Sequence, residues 1–224
     1  YASQLKYIEL GSAALSIEKK QLMRKLFPST HLIMHYGLTE VSRAIFSRFH
    51  HDPDDAIGAI GTGANIRILD QYGDLVNDGV EGEIALQSPW MLSEYLDLSE
   101  LNHSVFADGY FKTGDLGIIE NNYLYLRGRL KEMINVGGKK VNPTDVEKVL
   151  LQHPEISDCA CVAYADAVIG EVVKAFIVAI EYREETKKVP LSVQQMQSFI
   201  QDKLPNYMRP QHYEYVSTIP KTAT

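Results

Sequence analysis

The pattern of hydrophobic and polar residues predicts an α/β layer at the start of the chain. Leu5–Leu10 is a strand-like run, and a second apolar run, His31–Met34, predicts a short buried strand that ends at Tyr36. Alternation of strand, helix and strand is typical of an α/β fold. A helix is predicted between the two strands, with a buried face made of Ile17, Leu22, Leu26 and Phe27.

The pattern changes between about residues 57 and 125. Short β-prone runs such as Asn65–Leu69 and Gly82–Leu86 alternate there with turns rich in Gly, Asp and Asn. This alternation of short strands and turns predicts a small β-barrel or a distorted sheet.

From about Lys131 the pattern predicts an α+β unit. Asn142 is a favourable helix N-cap, and Pro143 suits the first helical position. Strands are predicted around Ser157–Tyr164 and Val172–Ile180. The helix that begins at Pro143 is predicted to bury Val146, Val149 and Leu150.

A second helix of this unit is predicted to begin near Ser192 and to stop before Pro205. The charged run 181–188, which precedes it, is predicted to be a solvated loop. The apolar residues at helical spacing, which predict its core face, are Val193, Met196, Phe199, Ile200 and Leu204.

Composition limits the classes of partner. The chain has 224 residues and a net charge of −7, which argues against a broad surface for nucleic acid or for an anionic membrane. No apolar run approaches the ~20 residues that span a bilayer. Tyr1–Gln4 shows neither an initiator Met nor a signal-peptide pattern, and we interpret it as an internal start.

Two cysteines, Cys159 and Cys161, lie two positions apart in a strand-like run. Alternation puts both on one face of the strand, where we expect small buried side chains without a disulfide. Reduced thiols are consistent with a cytoplasmic protein.

The segment Tyr36–Glu40 follows a buried strand, where open α/β sheets usually place ligands. The Tyr36 ring can stack on a purine, and Gly37 allows a sharp backbone turn. Thr39 offers a hydroxyl to phosphate and Glu40 offers hard oxygen to Mg²⁺. The alternative is a plain strand end at which Thr39 caps a following helix.

The segment Thr113–Asp115 contains a second candidate group. The Asp115 carboxylate can accept hydrogen bonds from the two ribose hydroxyls, and Arg129 can pair with ribose or phosphate oxygens. The alternatives are a Gly-Asp turn between two strands for Asp115 and a surface salt bridge for Arg129.

Gly137 and Gly138 precede two lysines, but the segment is not a Walker phosphate loop. Met133 occupies the first glycine position of that motif, and Lys140 replaces its Ser or Thr. A glycine-rich hairpin turn is the simplest interpretation.

The order of these motifs resembles the adenylate-forming superfamily, which includes acyl-CoA synthetases, peptide-synthetase adenylation domains and beetle luciferases. The resemblance runs from about Gly11 to the end of the chain. The motifs that carry it are Tyr36–Glu40, Thr113–Asp115, Gly128–Lys131, Gly137–Lys140 and Pro220–Thr222.

The resemblance implies two domains and an α/β and α+β fold. Residues 1–130 would be the C-terminal part of the large AMP-binding domain, with a β-barrel-like subdomain at about 57–130. Residues 131–224 would be the small mobile C-terminal domain, which rotates about a hinge at Lys131. Gly137 and Gly138 would lie in the loop that lets the thiol cosubstrate pass. Lys221 is not the family's catalytic lysine, because that lysine follows a glycine further along the motif.

The resemblance also implies the roles of individual residues. The family's tyrosine, threonine and glutamate contact adenine, phosphate and metal, and they match Tyr36, Thr39 and Glu40. Asp115 and Arg129 match the ribose clamp and its basic neighbour. The small-residue loop against the adenine matches Gly11, Ser12 and Ala13.

The implied activity is ATP-dependent activation of a carboxylic acid to acyl-AMP, with Mg²⁺, followed by transfer to a thiol. The chain would be a C-terminal fragment of an AMP-forming acyl-CoA ligase, weak or inactive alone, with CoA as cosubstrate. Alternatives are an enzyme that loads the phosphopantetheine of a carrier protein, suggested by Leu204–Pro210, a non-catalytic adenylate-binding relative, and a luciferase-like oxygenase.

Overall fold

A computed structural model describes residues 4–11, 15–61, 63–180 and 191–220. The chain divides into two compact units, one ending at Leu130 and the other beginning at Lys131. Each unit has its own hydrophobic core. Within the described residues there is no helix with both the length and the apolar character that a membrane span requires.

The first unit contains two helices and nine strands in its described part. The helices are α1 (Ile17–Leu26) and α2 (Ser99–Val105). The strands are β1 (Tyr7–Leu10), β2 (His31–Leu38), β3 (Ser42–Arg48), β4 (Gly58–Ala59), β5 (Asn65–Leu69), β6 (Gly82–Gln87), β7 (Phe106–Ala107), β8 (Tyr110–Glu120) and β9 (Tyr123–Arg129).

The second unit has its own set of elements, again counted over its described residues. Its helices are α3 (Pro143–Leu150) and α4 (Val193–Ile200), with short 3-10 turns at Leu130–Glu132, where the units join, and Asn206–Met208. Its strands are β10 (Ile134–Val136), β11 (Lys139–Val141), β12 (Ile156–Asp166), β13 (Gly170–Ala179) and β14 (His212–Tyr215).

The first sheet has the order β1-β2-β3, with β1 and β2 parallel and β3 antiparallel to β2. The predicted strand–helix–strand start is thus confirmed. A strand follows Glu40, so the alternative in which Thr39 caps a helix is wrong. Parallel pairing brings the carboxyl ends of β1 and β2 to the same edge, next to Gly11 and Tyr36.

Helix α1 forms where it was predicted, but the prediction of its buried face was wrong. Ile17, Leu22 and Leu26 are exposed, and the buried residue is Lys20. The Lys20 ammonium donates to the backbone oxygen of Asp54 at 2.6 Å. This polar contact, reinforced by an ion pair between Arg24 and Asp54, orients the helix.

The second sheet follows the path β4-β9-β8-β6-β5, with β7 paired to β8. This path has register shifts between β6 and β8 and between β8 and β9, which agree with the predicted distorted sheet. Its inner residues pack with β3 in one core, whose buried members include Val41, Ala44, Ile45, Ile68, Ile84, Leu86 and Leu124.

The third sheet, in the second unit, has the order β11-β10-β13-β12, and β14 pairs with β13. Asn142 caps α3 through its side chain, and Ser192 caps α4 in a reciprocal capping box with Gln195. Cys159 and Cys161 are buried on one face of β12, as predicted. The mixed α/β and α+β class is therefore confirmed.

The predicted helix faces of this unit are confirmed with two differences. Val146, Leu150, Met196 and Ile200 are buried, and Val149 and Phe199 pack against the same core. Val193, however, is 38% exposed. Helix α4 ends at Ile200, so the buried Leu204 lies beyond it. The charged run predicted to be a solvated loop lies outside the described residues.

Candidate active site

Three residues predicted to bind nucleotide meet around one buried carboxylate. The Tyr36 hydroxyl donates to Oδ2 of Asp115 at 2.6 Å, and Nε of Arg129 lies 2.8 Å from Oδ1. The Asp115 side chain is only 3% exposed, whereas that of Arg129 is 48% exposed. Burial, reinforced by the Asp115 carboxylate, raises the pKa of Tyr36, which therefore stays protonated and acts as the donor.

Strand pairing places Asp115 opposite Arg129. Asp115 lies inside β8 and pairs with Arg129 of β9, so the alternative of a Gly-Asp turn between two strands is wrong. Gly114 takes a φ of 71°, which an L side chain rarely adopts, and so redirects the strand just before the carboxylate. A glycine at this position has a direct conformational reason.

Two neighbours support this backbone. Thr113 donates through its hydroxyl to the Ile84 oxygen at 2.8 Å and accepts from the Asp115 nitrogen at 3.0 Å. Glu83 accepts from the Gly114 nitrogen at 3.0 Å. The carboxylate of Asp115 is therefore held on a backbone that is anchored on both sides.

Gly37 allows β2 to approach β3 closely. A Cβ at Gly37 would lie 1.8 Å from the backbone oxygen of Ser42, and the β2–β3 register shifts between Tyr36 and Gly37. The bulge follows directly after Tyr36, at the point from which its side chain reaches Asp115.

Gly11, directly after β1, leaves room for the side chain of His35 in β2. A Cβ at Gly11 would come within 2.2 Å of the imidazole of His35. Nδ1 of His35 lies 2.9 Å from the carboxylate of Glu9, which also contacts Arg43 at 3.0 Å. His35 thus fills the space beside the strand end that leads into the segment containing Ser12 and Ala13, which itself lies outside the described residues.

Glu40 is held by a distant loop. The Tyr95 hydroxyl donates to Oε1 of Glu40 at 2.6 Å, and the Leu92 nitrogen donates to the backbone oxygen of Glu40 at 2.6 Å. The hydrogen bond to Glu40, together with burial, raises the pKa of Tyr95 to about 12. Thr39, next to it, is exposed.

The second unit carries the remaining predicted residues. Lys131 lies in the 3-10 turn at which this unit begins. Gly137 and Gly138 form the turn between β10 and β11 with φ values of 56° and 85°, so the predicted glycine-rich hairpin is confirmed. This turn borders a groove of about 980 Å³, to which Lys139, Tyr207, Arg209 and several side-chain amides contribute.

Comparison with known proteins places the chain in a family. Residues 1–96 match the model of the AMP-binding enzyme, and residues 145–224 match that of the AMP-binding enzyme C-terminal domain. A soybean protein, 4-coumarate–CoA ligase 1 of Glycine max, is 30% identical over 98% of this chain and 76% of its own length. The chain belongs to the AMP-binding enzyme family.

Two further relatives show the extent of the match. The AMP-binding chain is 31% identical to 4-coumarate–CoA ligase-like 6 of rice (Oryza sativa subsp. japonica) over 98% of its own residues. It also superposes on ATP-bound MatB from Rhodopseudomonas palustris with a TM-score of 0.84 and 25% identity over 96% of its residues. It spans 37% of the rice protein and 42% of the MatB chain, less than half of either.

The side chains of this AMP-binding chain fit a Mg²⁺ ion whose ligands come mainly from the phosphates of the nucleotide. Among the described residues there is no group of three or more His, Cys, Asp or Glu side chains that could hold a metal. Mg²⁺ bound with nucleotides commonly uses one or two carboxylates together with phosphate oxygens. Glu40 would provide such a carboxylate, whose Oε1 accepts the hydrogen bond from the Tyr95 hydroxyl.

The structure brings together some of the predicted residues and adds others. Tyr36, Asp115 and Arg129 share one cluster, and Thr39 and Glu40 continue the chain from β2. The contribution of Tyr95 was missed. No short motif links it to Glu40, which lies 55 residues away in the sequence.

Proposed function

We propose that this chain is the C-terminal part of an AMP-forming acid–thiol ligase that activates a carboxylic acid with ATP and transfers the acyl group to CoA. The observation that carries the proposal is the buried Asp115 carboxylate between Tyr36 and Arg129. The CoA ligases among the relatives support it, as does the extent of the match, which covers less than half of most of them.

The first role of these residues is to hold the nucleoside. A carboxylate has about four lone-pair positions, so Asp115 can accept ribose hydroxyls while it keeps Arg129. The Tyr36 ring would then stack on the adenine, with Gly11, Ser12 and Ala13 giving the base access to the backbone. Arg129 stays charged and fixes the orientation of the carboxylate.

The reaction has two balanced steps. An oxygen of the substrate carboxylate forms a bond to the α-phosphorus of ATP, and the bond from that phosphorus to the bridging oxygen breaks, which releases pyrophosphate. The thiol sulfur then bonds to the acyl carbon, AMP departs, and the thiol proton is released. Carboxylate is a poor acyl donor, because oxide is a poor leaving group, whereas AMP leaves readily.

Thr39 and Glu40 would act in the first step. The exposed Thr39 hydroxyl can donate to a phosphate oxygen. Glu40 would hold Mg²⁺, which neutralises charge on the phosphates when it is bound. Because phosphoryl transfer depends mainly on position and charge, fixed groups of this kind supply much of the catalysis.

The groove of the second unit supports CoA as the acceptor. The turn at Gly137 and Gly138 borders it, and the Lys139 ammonium lies 4.6 Å from the centre of the Tyr207 ring. An exposed cation beside an aromatic ring suits the phosphates and base of a nucleotide-containing thiol. The small domain would rotate about Lys131 between the two steps.

A carrier protein is the second candidate acceptor. Leu204–Pro210 resembles the stretch common in peptide-synthetase adenylation domains, and part of it borders the same groove. Transfer of the acyl group to free CoA, but not to a phosphopantetheinylated carrier, would support the ligase. The reverse result would support the loading enzyme.

The experiment that tests the proposed function is ATP–pyrophosphate exchange by the full-length protein with fatty, aryl and amino acids. Exchange that depends on one class of acid is the expected result, and the same assay on the isolated 224-residue chain should give little or none. A folded protein that binds AMP but exchanges with no acid would instead support a non-catalytic adenylate-binding relative. Light emission or oxygen uptake that depends on acyl-AMP would support a luciferase-like enzyme.

A further inference from the structure

The loop between β6 and α2 forms hydrogen bonds with Glu40 and Val41, which follow β2. Ser88 donates through its hydroxyl to the Val41 oxygen at 3.3 Å. The Leu92 nitrogen and the Tyr95 hydroxyl both donate to Glu40, one to its backbone and the other to its carboxylate. Three contacts over eight residues thus fix both the path of this segment and the direction of one side chain.

Tyr95 is itself held by a reciprocal pair of hydrogen bonds. Its nitrogen donates to Oδ1 of Asn102 at 2.8 Å, and Nδ2 of Asn102 donates to the Tyr95 oxygen at 2.8 Å. Asn102 lies in α2, so a helix anchors the backbone from which the Tyr95 hydroxyl extends. A series of hydrogen bonds therefore connects Asn102 through Tyr95 to Glu40.

We infer that Tyr95, braced by Asn102, is a positioning residue that fixes the Glu40 carboxylate for the magnesium ion of MgATP. The inference rests on the proposed function, in which Glu40 is the metal ligand. With Oε1 held by the phenol, Oε2 remains for the metal in a fixed direction. Carboxylates that bind metals are usually hydrogen-bonded in this way, and loss of such a partner typically costs about 10- to 100-fold in metal affinity or activity.

The phenol also explains why this position needs a tyrosine. A phenylalanine would keep the half-buried ring but leave Oε1 of Glu40 without its donor, so the carboxylate could rotate. Asn102 acts one step further away and affects only the backbone position of Tyr95. Removal of the Asn102 side chain should therefore also weaken Mg²⁺ binding, but by less than removal of the Tyr95 hydroxyl.

The test compares ATP binding with and without metal in the full-length protein. Calorimetry would measure the affinity for ATP in excess Mg²⁺ and for AMP in EDTA, and a Mg²⁺ titration of pyrophosphate exchange would give the half-saturating concentration. The variants are Tyr95→Phe and Asn102→Ala. The matched control is Tyr72→Phe, because Tyr72 is 81% exposed in the turn after β5.

Tyr95→Phe should raise the half-saturating Mg²⁺ concentration about 10- to 100-fold and weaken MgATP binding, with AMP binding in EDTA unchanged. Asn102→Ala should give a smaller shift, and the double variant should show less than the sum, because both act through Glu40. A Mg²⁺ requirement in Tyr95→Phe equal to that of Tyr72→Phe would overturn the inference. Equal losses of MgATP and AMP binding would also overturn it, since they would indicate general damage to the fold.

The failure of the proposed function would look different. In that case the wild-type protein would show no acid-dependent exchange, whatever the state of Tyr95. The comparison of MgATP with AMP binding would still decide the role of Tyr95, because it requires no turnover.

Discussion

The Tyr36 hydroxyl and the Asp115 carboxylate, 79 positions apart in sequence, lie 2.6 Å from each other in the structure. With Arg129 on the other oxygen, both oxygens of a nearly inaccessible carboxylate have partners. A ribose would share the Asp115 carboxylate with the Tyr36 hydroxyl, because each carboxylate oxygen has two lone-pair positions. In the proposed arrangement, nucleotide binding and the position of the Tyr36 ring would therefore be coupled, because the ring proposed to stack on adenine also contacts Asp115, the proposed ribose ligand.

Asp115→Asn is expected to weaken AMP binding about tenfold or more. The amide loses the charge that Arg129 compensates, and hydrogen bonds to charged groups contribute about 1.5–3 kcal/mol. Calorimetric titration of the full-length protein with AMP measures the change. The control is Asp108→Asn, because the Asp108 side chain is 88% exposed and its contact with Arg67, at 3.8 Å, is a surface pair. Equal affinities for the two variants would contradict the ribose-clamp role.

Gly37→Ala is expected to destabilise the first unit by about 3 kcal/mol. The new methyl group would meet the Ser42 oxygen at 1.8 Å, so β2 and β3 must separate. Gly73→Ala is the matched control: its φ of 90° adds about 1 kcal/mol of strain, but there is open space around it. Urea denaturation followed by circular dichroism compares the two. Similar midpoints would show that the close approach at Gly37 has no energetic weight.

Ser192→Ala and Ser198→Ala should change stability in opposite directions. Ser192 caps α4 and its loss should cost about 1 kcal/mol. Ser198 lies exposed inside the same helix, where alanine is the better helix former by up to about 0.5 kcal/mol. Urea denaturation at one pH gives both values. Equal losses for the two serines would contradict the capping role.

The sequence correctly predicted the features that depend on residues close together in the chain. The caps at Asn142 and Ser192 and the hairpin at Gly137 were all predictable, because their chemistry spans only a few residues. The orientation of α1 was not, since Lys20 finds its partner at Asp54, more than 30 residues away. The residues flanking that lysine could not reveal which face would be buried.

The same difference between local features and distant contacts applies to the candidate site. The identities of Tyr36, Asp115 and Glu40 stood out because each lies in a short motif. The link from Tyr95 to Glu40 spans 55 residues and depends on how the loop after β6 folds back. Side-chain partners at that separation can be identified only from the tertiary structure.

Cys159→Ala is expected to make the free energy of unfolding less dependent on alkaline pH. Burial, reinforced by the nearby Glu147 carboxylate, raises the pKa of the Cys159 thiol from 9.0 to about 12. The folded state keeps a proton that the unfolded state releases above about pH 9, so the contribution is complete below pH 9 and is lost as pH rises toward 12. Urea denaturation at pH 8, 9.5 and 11 measures the slope. Parallel profiles for wild type and variant would contradict the expected shift.

The two thiols on β12 also have a practical consequence. Both are buried, and burial raises the pKa of Cys161 as it does that of Cys159, so neither presents a thiolate to reagents near neutral pH. A cysteine introduced on the surface, at the exposed Thr144 for example, should therefore react selectively with a maleimide fluorophore. The natural cysteines of this sequence need not be removed before a dye is attached to the second unit to test its proposed rotation.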